Sequence, residues 1–210
     1  NIIMFALVDK SDNSITRMLN GNRGITIGDN QYPRAIFSLW SEAERNAINI
    51  YTVTIDNSKK KDEKWYINTN ITYSFDGTNA TGSYGDATAK AHADTTWTQQ
   101  QIDDGDAPDG ADTDTVAVEG LKTKLIRTVK AQAEGELNRT DWYITRKAEK
   151  NTAIPSAITT HRDAVRTKQD SMCTAITNAS DTPALETLYT YTEQEDGSVT
   201  RPLGELPTLE

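Results

Sequence analysis

Leu121-Lys122-Thr123-Lys124-Leu125-Ile126-Arg127-Thr128-Val129-Lys130-Ala131-Gln132-Ala133-Glu134-Gly135-Glu136-Leu137 is the stretch on which the fold class turns. Val118, Leu121, Leu125, Val129, Ala133 and Leu137 recur every three or four residues, the spacing that lines up side chains on one stripe of a helix. A second stripe follows, in which Ile158, Val165, Met172 and Ala179 are seven apart and Ile176 lies beside them. Pro155-Ser156 starts it, because proline lacks an amide that the first helical turn leaves unpaired in any case. The seven-residue spacing predicts long helices packed nearly antiparallel or supercoiled. Lys122, Lys124, Arg127 and Lys130 then form a solvated face, and Asp181-Thr182-Pro183 opens a third helix through Leu185, Leu188 and Tyr189.

Toward the N-terminus the signals change to strand and turn. Met4–Val8, Gly24–Ile27, Ile50–Ile55 and Lys64–Phe75 are rich in β-branched and aromatic residues. Asn20-Gly21, Gly28-Asp29-Asn30 and Asp76-Gly77 separate them, since Gly and Asn tolerate positive φ. Trp65, Ile67, Ile71, Tyr73 and Phe75 sit at odd positions, which predicts one strand with one buried face. The exception is a helix over Phe37–Ile48, with Leu39, Trp40, Ala43, Ala47 and Ile48 on its apolar side. Met4–Val8 also reads as a natural start, with the first three residues a processing remnant or an upstream start.

Residues Thr98 to Thr115 interleave Asp103, Asp104, Asp106, Asp109, Asp112 and Asp114 with Gly105, Pro108 and Gly110, a composition that reads as a solvated linker. The fold class is therefore α+β. Residues 1–97 are expected to form a small β-rich docking part with one short helix, 98–115 an acidic linker, 116–195 an α-helical hairpin module, and 196–210 an extended tail.

At 36% hydrophobic residues, 210 residues offer a modest core, so partner surfaces are expected to contribute stability. Strand edges in Lys64–Phe75 need covering as well, which a neighbouring chain would do by continuing the sheet. A formal charge of −9 argues against a nucleic-acid groove, which needs a basic face to release counterions. No run approaches the apolar length of a membrane span, and the opening residues lack the basic start of a signal peptide. The single cysteine, Cys173, excludes an internal disulfide and reads as a small core residue.

Chemical motifs are incomplete. With Asp104 in the first position of a calcium loop, Asp109 falls where glycine is required, so no metal site is expected. His92 and His161 have no ligand at metal spacing and read as surface or capping residues. Gly82-Ser83-Tyr84-Gly85 reads as a turn and lacks the Gly-x-Ser-x-Gly of a nucleophile elbow; Gly21-Asn22-Arg23-Gly24 lacks the Gly-Lys-Ser/Thr of a phosphate loop. Neither a cofactor nor an enzymatic activity is expected.

Between the two long stripes stands Leu137-Asn138-Arg139-Thr140-Asp141-Trp142-Tyr143-Ile144-Thr145-Arg146-Lys147-Ala148-Glu149. Thr140 suits a helix cap that accepts from the Trp142 or Tyr143 amide, and Asp141 suits the positive helix end. Trp142 is expected in the hairpin core and Tyr143 at the surface, where aromatic rings serve as interface anchors. The candidate interface residues are Tyr143, Trp65, Tyr73, Arg162 and Arg166.

This segment, with Thr140-Asp141-Trp142, Pro155, and Arg162 and Arg166 as Arg-x-x-x-Arg, resembles the C-terminal helical module of many tailed-bacteriophage tail and tail-fibre assembly proteins. The resemblance covers Leu137 to Asn178. The chain departs from the pattern in carrying His161 where an aromatic often stands, and a basic stretch between Trp142 and Pro155. It implies a non-enzymatic structural protein of a phage particle, tail- or fibre-associated, that attaches subunits and contacts other virion proteins or copies of itself. A tail-fibre assembly chaperone absent from the finished virion is the first alternative. The second is a particle-borne glycan hydrolase, which needs two carboxylates held about 5 to 9 Å apart.

Overall fold

The chain adopts a mixed α+β architecture whose C-terminal region is rich in helix. The computed structural model describes residues 3–209, and the chain divides into two compact units between Thr88 and Ala89. That division lies ahead of the Asp-rich segment in which the sequence placed the break.

In the first unit, β1 (Phe5–Asp9), β2 (Ser14–Leu19), β3 (Ile25–Ile27), β4 (Asn30–Tyr32), α1 (Ile36–Leu39), α2 (Glu42–Ala47), β5 (Ile50–Asp56), β6 (Tyr66–Ile67), β7 (Thr72–Phe75) and β8 (Ala80–Ser83) follow in order. The principal sheet runs β2-β1-β5-β8-β7. Only the β5–β8 pair is parallel; β1 pairs antiparallel with both β2 and β5, and β7 with β8.

The run Phe5-Ala6-Leu7-Val8 supplies both faces of the sheet, as the two-residue period of a strand requires. Phe5 packs with Leu19, Ile25, Ile36 and Ile50 on one face. Ala6 and Val8 pack with Tyr51, Val53, Phe75 and Ala80 on the other. Burying each large apolar side chain is worth about 2 kcal/mol, so β1 anchors two cores at once.

The two edge strands, β2 and β7, lie against each other, and Asn13 Oδ1 stands 3.4 Å from where a Cβ on Gly77 would be. The sheet therefore curls around its second cluster, and the edge of β7 faces β2 of the same chain. Gly82, on β8, leaves room for three side chains: a Cβ there would meet Ile55, Tyr73 and Ile71 at 2.8 to 2.9 Å. Gly82 and Ser83 accordingly end β8 and do not form the turn read from the sequence.

Two expectations about this unit need correction. The helix over Phe37–Ile48 is broken at Trp40-Ser41 into α1 and α2, and Leu39 is exposed. Ser41 accepts from the Glu44 amide, while Glu44 accepts from the Ser41 amide and hydroxyl, a capping box that starts a new helix. The single strand over Lys64–Phe75 is likewise two short ones, with Tyr66 buried and Ile67 exposed. Asn68 interrupts it by bonding both the amide and the carbonyl of Lys61, at 2.9 and 2.8 Å. A side chain that occupies the backbone groups of a distant residue competes with a continuous ladder.

The short strand β9 (Thr88–Ala89) spans the division. In the second unit, β10 (Thr95–Thr96) and β11 (Val116–Val118) pair antiparallel and close the Asp-rich segment as an excursion of one ribbon. Inside that excursion α3 (Gln99–Asp103) starts on a capping box between Thr98 and Gln101. Val118 lies in β11 and is exposed, so the first apolar stripe begins at Leu121.

Four helices follow: α4 (Leu121–Asn138), α5 (Asp141–Lys150), α6 (Ser156–Asn178) and α7 (Thr182–Tyr189). Lys122 Nζ donates to the Thr177 carbonyl and Glu136 contacts His161, so α4 and α6 run antiparallel along each other. Val129 and Ala133 of α4, and Ile158, Val165, Met172 and Ile176 of α6, are buried.

α4 has no cap of its own. Asp94 serves instead, accepting from the Gly120 amide at 2.7 Å and the Thr123 hydroxyl at 2.8 Å, which holds its carboxyl below the ordinary range. The segment beyond residue 195 is partly docked and does not extend freely. β12 (Thr192–Glu193) pairs with β13 (Val199–Thr200), Leu203 is buried, and its amide donates to the Leu188 carbonyl.

A candidate interaction surface on helix α5

Residues 137–141 connect α4 to α5 through a buried guanidinium. Arg162, 8% exposed, reaches back from α6 and donates from Nη1 to the Leu137 carbonyl at 2.8 Å and the Thr140 hydroxyl at 2.7 Å. The same nitrogen pairs with Asp141 Oδ1 at 2.8 Å. Thr140, 1% exposed, donates its own hydroxyl back to the Leu137 carbonyl. Thr140 therefore does not cap α5 with its side chain as expected; the hydroxyl is already committed to Leu137 and Arg162. The buried guanidinium serves a carbonyl at the end of α4 and two side-chain acceptors at the start of α5.

Glu136 makes a second junction one turn earlier. It accepts from the Leu209 amide at 2.9 Å, pairs with Arg139 at 2.9 Å, and contacts His161 Nε2 at 3.1 Å. The Leu209 amide, then Arg139 and His161, hold its carboxyl below the ordinary value of 4.5. A carboxyl whose folded value is lowered binds protons more readily in the unfolded chain. Its stabilisation is complete above the unfolded value and is lost as pH falls through the lower folded one. Thermal melts from pH 7 down to pH 3 are therefore expected to fall less steeply for Glu136→Gln than for the wild type; parallel curves would overturn that role.

From these junctions α5 carries its aromatic pair into the open. Trp142 and Tyr143 stack with ring centroids 3.7 Å apart, and the Arg146 guanidinium lies over both, 4.7 and 5.4 Å from the centroids. Trp142 is 51% exposed and Ile144 is 43% exposed, while Tyr143 is half-buried. This reverses the expected placement, in which Trp142 filled the core and Tyr143 faced solvent. Trp142, Tyr143 and Ile144 are consecutive, and a helix rotates successive side chains by about 100°, so one buried stripe cannot take all three. None of the residues of α5 is buried.

The other candidate interface residues divide. Arg166 is exposed and paired with Asp163 at 3.2 Å. Arg162 is inside, at the α4–α5 junction. Trp65 is 3% exposed within the first unit, and Tyr73 packs half-buried against the cluster of Ala6, Val8 and Phe75. The surface thus collects Tyr143 from the sequence reading and adds Trp142, Ile144 and Arg146.

Among the described residues, no group of three His, Cys, Asp or Glu side chains is placed to hold a metal ion. No helix among them is long and apolar enough to cross a membrane. Set against known protein families, curated proteins and solved structures, the chain matches none.

Proposed function

We propose that this chain is a non-enzymatic structural protein of a tailed-phage particle, tail- or fibre-associated, that attaches one subunit to another through α5. In this reading α4 and α6 form the helical hairpin module, the Asp-rich segment is its acidic linker, and α5 is the contact element. The observation that carries it is the exposure of Trp142 and Ile144 on a helix with no buried residue. A helix of this length is marginal alone in water, and an exposed Trp beside an Arg is the composition of an interface anchor. The Thr140-Asp141-Trp142 element of the phage-like module begins that helix.

Charge favours an acidic-rimmed partner surface. Arg146, Lys147 and Lys150 leave α5 basic within a unit where acidic residues predominate.

The test is a comparison of purified particles carrying wild-type chain or the double variant Trp142→Ala, Ile144→Ser. Mass spectrometry is expected to find the wild-type chain in the particle and the variant depleted at least tenfold. Both side chains are exposed, so the isolated variant should melt like the wild type. A wild-type chain absent from particles but required for fibres would favour the assembly chaperone. Undiminished incorporation of the variant would remove α5 as the attachment element.

A further inference from the structure

The turn after β2, Asn20-Gly21-Asn22-Arg23-Gly24, edges a cavity of about 400 Å³ whose walls include Met4, Arg17, Arg23, Ile25 and Phe37. An adjoining cavity of about 500 Å³ shares Asn20, Gly21 and Phe37 with it and adds Arg34. Both lie within the first unit, remote in sequence from α5. Three guanidinium groups therefore border one concave surface. None of the three makes an ion pair or a side-chain hydrogen bond among the described residues, and no carboxylate lines either cavity. Of the other arginines, Arg127 takes Glu119, Arg139 takes Glu136, Arg162 takes Asp141 and Arg201 takes Glu205, while Arg146 lies over the Trp142 and Tyr143 rings. Residues 1–88 are nearly neutral, with nine Lys and Arg against ten Asp and Glu, so the excess negative charge of the chain belongs to the other unit.

The loop backbone is held in place before any ligand arrives. Gly21 has φ +68°, and a Cβ there would stand 3.1 Å from Phe5 and 3.2 Å from Phe37. Gly24 packs so closely that its Cβ would be 2.5 Å from the Tyr32 carbonyl oxygen. The Asn22 amide bonds the Asn20 side chain at 3.3 Å. Phe37 and Ile25 give the concavity an apolar wall, and a fixed loop lowers the entropy lost on binding. Guanidinium forks suit the oxygens of carboxylate and phosphate, which they bind with charge-assisted hydrogen bonds.

We propose that this concavity binds a small organic anion: a phosphate or carboxylate group, held by Arg17 and Arg23 with Arg34 at the margin, carried on an apolar or ring-shaped body that lies against Phe37. The anionic head supplies the acceptors that the arginines lack, and the body covers the apolar wall.

Calorimetric titration of the whole chain at low salt tests this with four probes: phenyl phosphate, benzoate, inorganic phosphate and neutral benzyl alcohol. At least one of the two aromatic anions is expected to bind saturably, and which of them binds more tightly identifies the headgroup. Inorganic phosphate and benzyl alcohol should each bind at least tenfold more weakly. Arg17→Gln with Arg23→Gln should reduce affinity at least tenfold while leaving the melting temperature unchanged, because both side chains are exposed. Arg166→Gln should have no effect, and affinity for the wild type should fall as salt rises. The site is overturned if neither aromatic anion saturates, if benzyl alcohol binds as well as they do, or if the double variant binds like the wild type.

Discussion

Replacing Val165 with Asp is expected to destabilise the helix-rich unit by about 4 kcal/mol, the order of cost of burying a polar or charged group without a partner. Val165 is 0% exposed, midway along α6 between buried Ile158 and buried Met172, a full turn pair in each direction. The carboxyl must either stay ionised in an apolar setting or take up a proton, and both penalise the folded state. With roughly 3 °C of melting temperature per kcal/mol for a unit of this size, the transition should drop by about 12 °C. Val165→Ala should cost only about 2 kcal/mol, through lost contacts and a partly filled cavity. Calorimetry on the two variants separates charge from volume. Equal melting of Val165→Asp and the wild type would mean that the buried row of α6 is not a core.

Arg162→Ala is expected to cost about 3 kcal/mol, since charge-assisted hydrogen bonds are worth about 1.5 to 3 kcal/mol each; the Leu137 carbonyl keeps the Thr140 amide and hydroxyl, but the Thr140 and Asp141 oxygens lose their donor. Asp141, half-exposed, can turn to water, but the Thr140 hydroxyl at 1% exposure cannot. Arg162→Lys should recover only part of the loss, because a single ammonium cannot reproduce the guanidinium geometry that serves the Leu137 carbonyl, Thr140 and Asp141 together. Hydrogen exchange locates the effect. Amides of α5 should exchange faster in Arg162→Ala, while Val129 and Ala133 in the middle of α4 stay protected. Unchanged exchange across residues 139–150 would show that the junction holds without the arginine.

The rows of α6 and the first helical stripe were legible because both are local. Ile158, Val165, Met172 and Ile176 share a face whatever they pack against, and the helix geometry alone enforces that. Asp181 accepting from the Ala184 amide before Pro183 is equally local, since a cap and its amide are three residues apart. The break at Ser41 was also written in the chain, as Ser41 and Glu44 at capping-box spacing, although the apolar residues on either side suggested one continuous helix.

The sequence by itself determined the β-then-α order, the positions of the long helices and the two-faced burial that Phe5-Ala6-Leu7-Val8 permits. Tertiary structure alone decided which aromatic residues are inside. Trp65 and Trp142 are both flanked by mixed polar and apolar neighbours, yet one is 3% and the other 51% exposed. The difference lies in segments distant along the chain. It was likewise the approach of β2 to β7 that closed the sheet edge, and the reach of Arg162 across 22 and 25 residues to Thr140 and Leu137 that turned a candidate surface arginine into an internal clamp. Periodicity reports which residues share a face; whether that face meets protein or water depends on what the rest of the chain brings to it, and no local pattern encodes that.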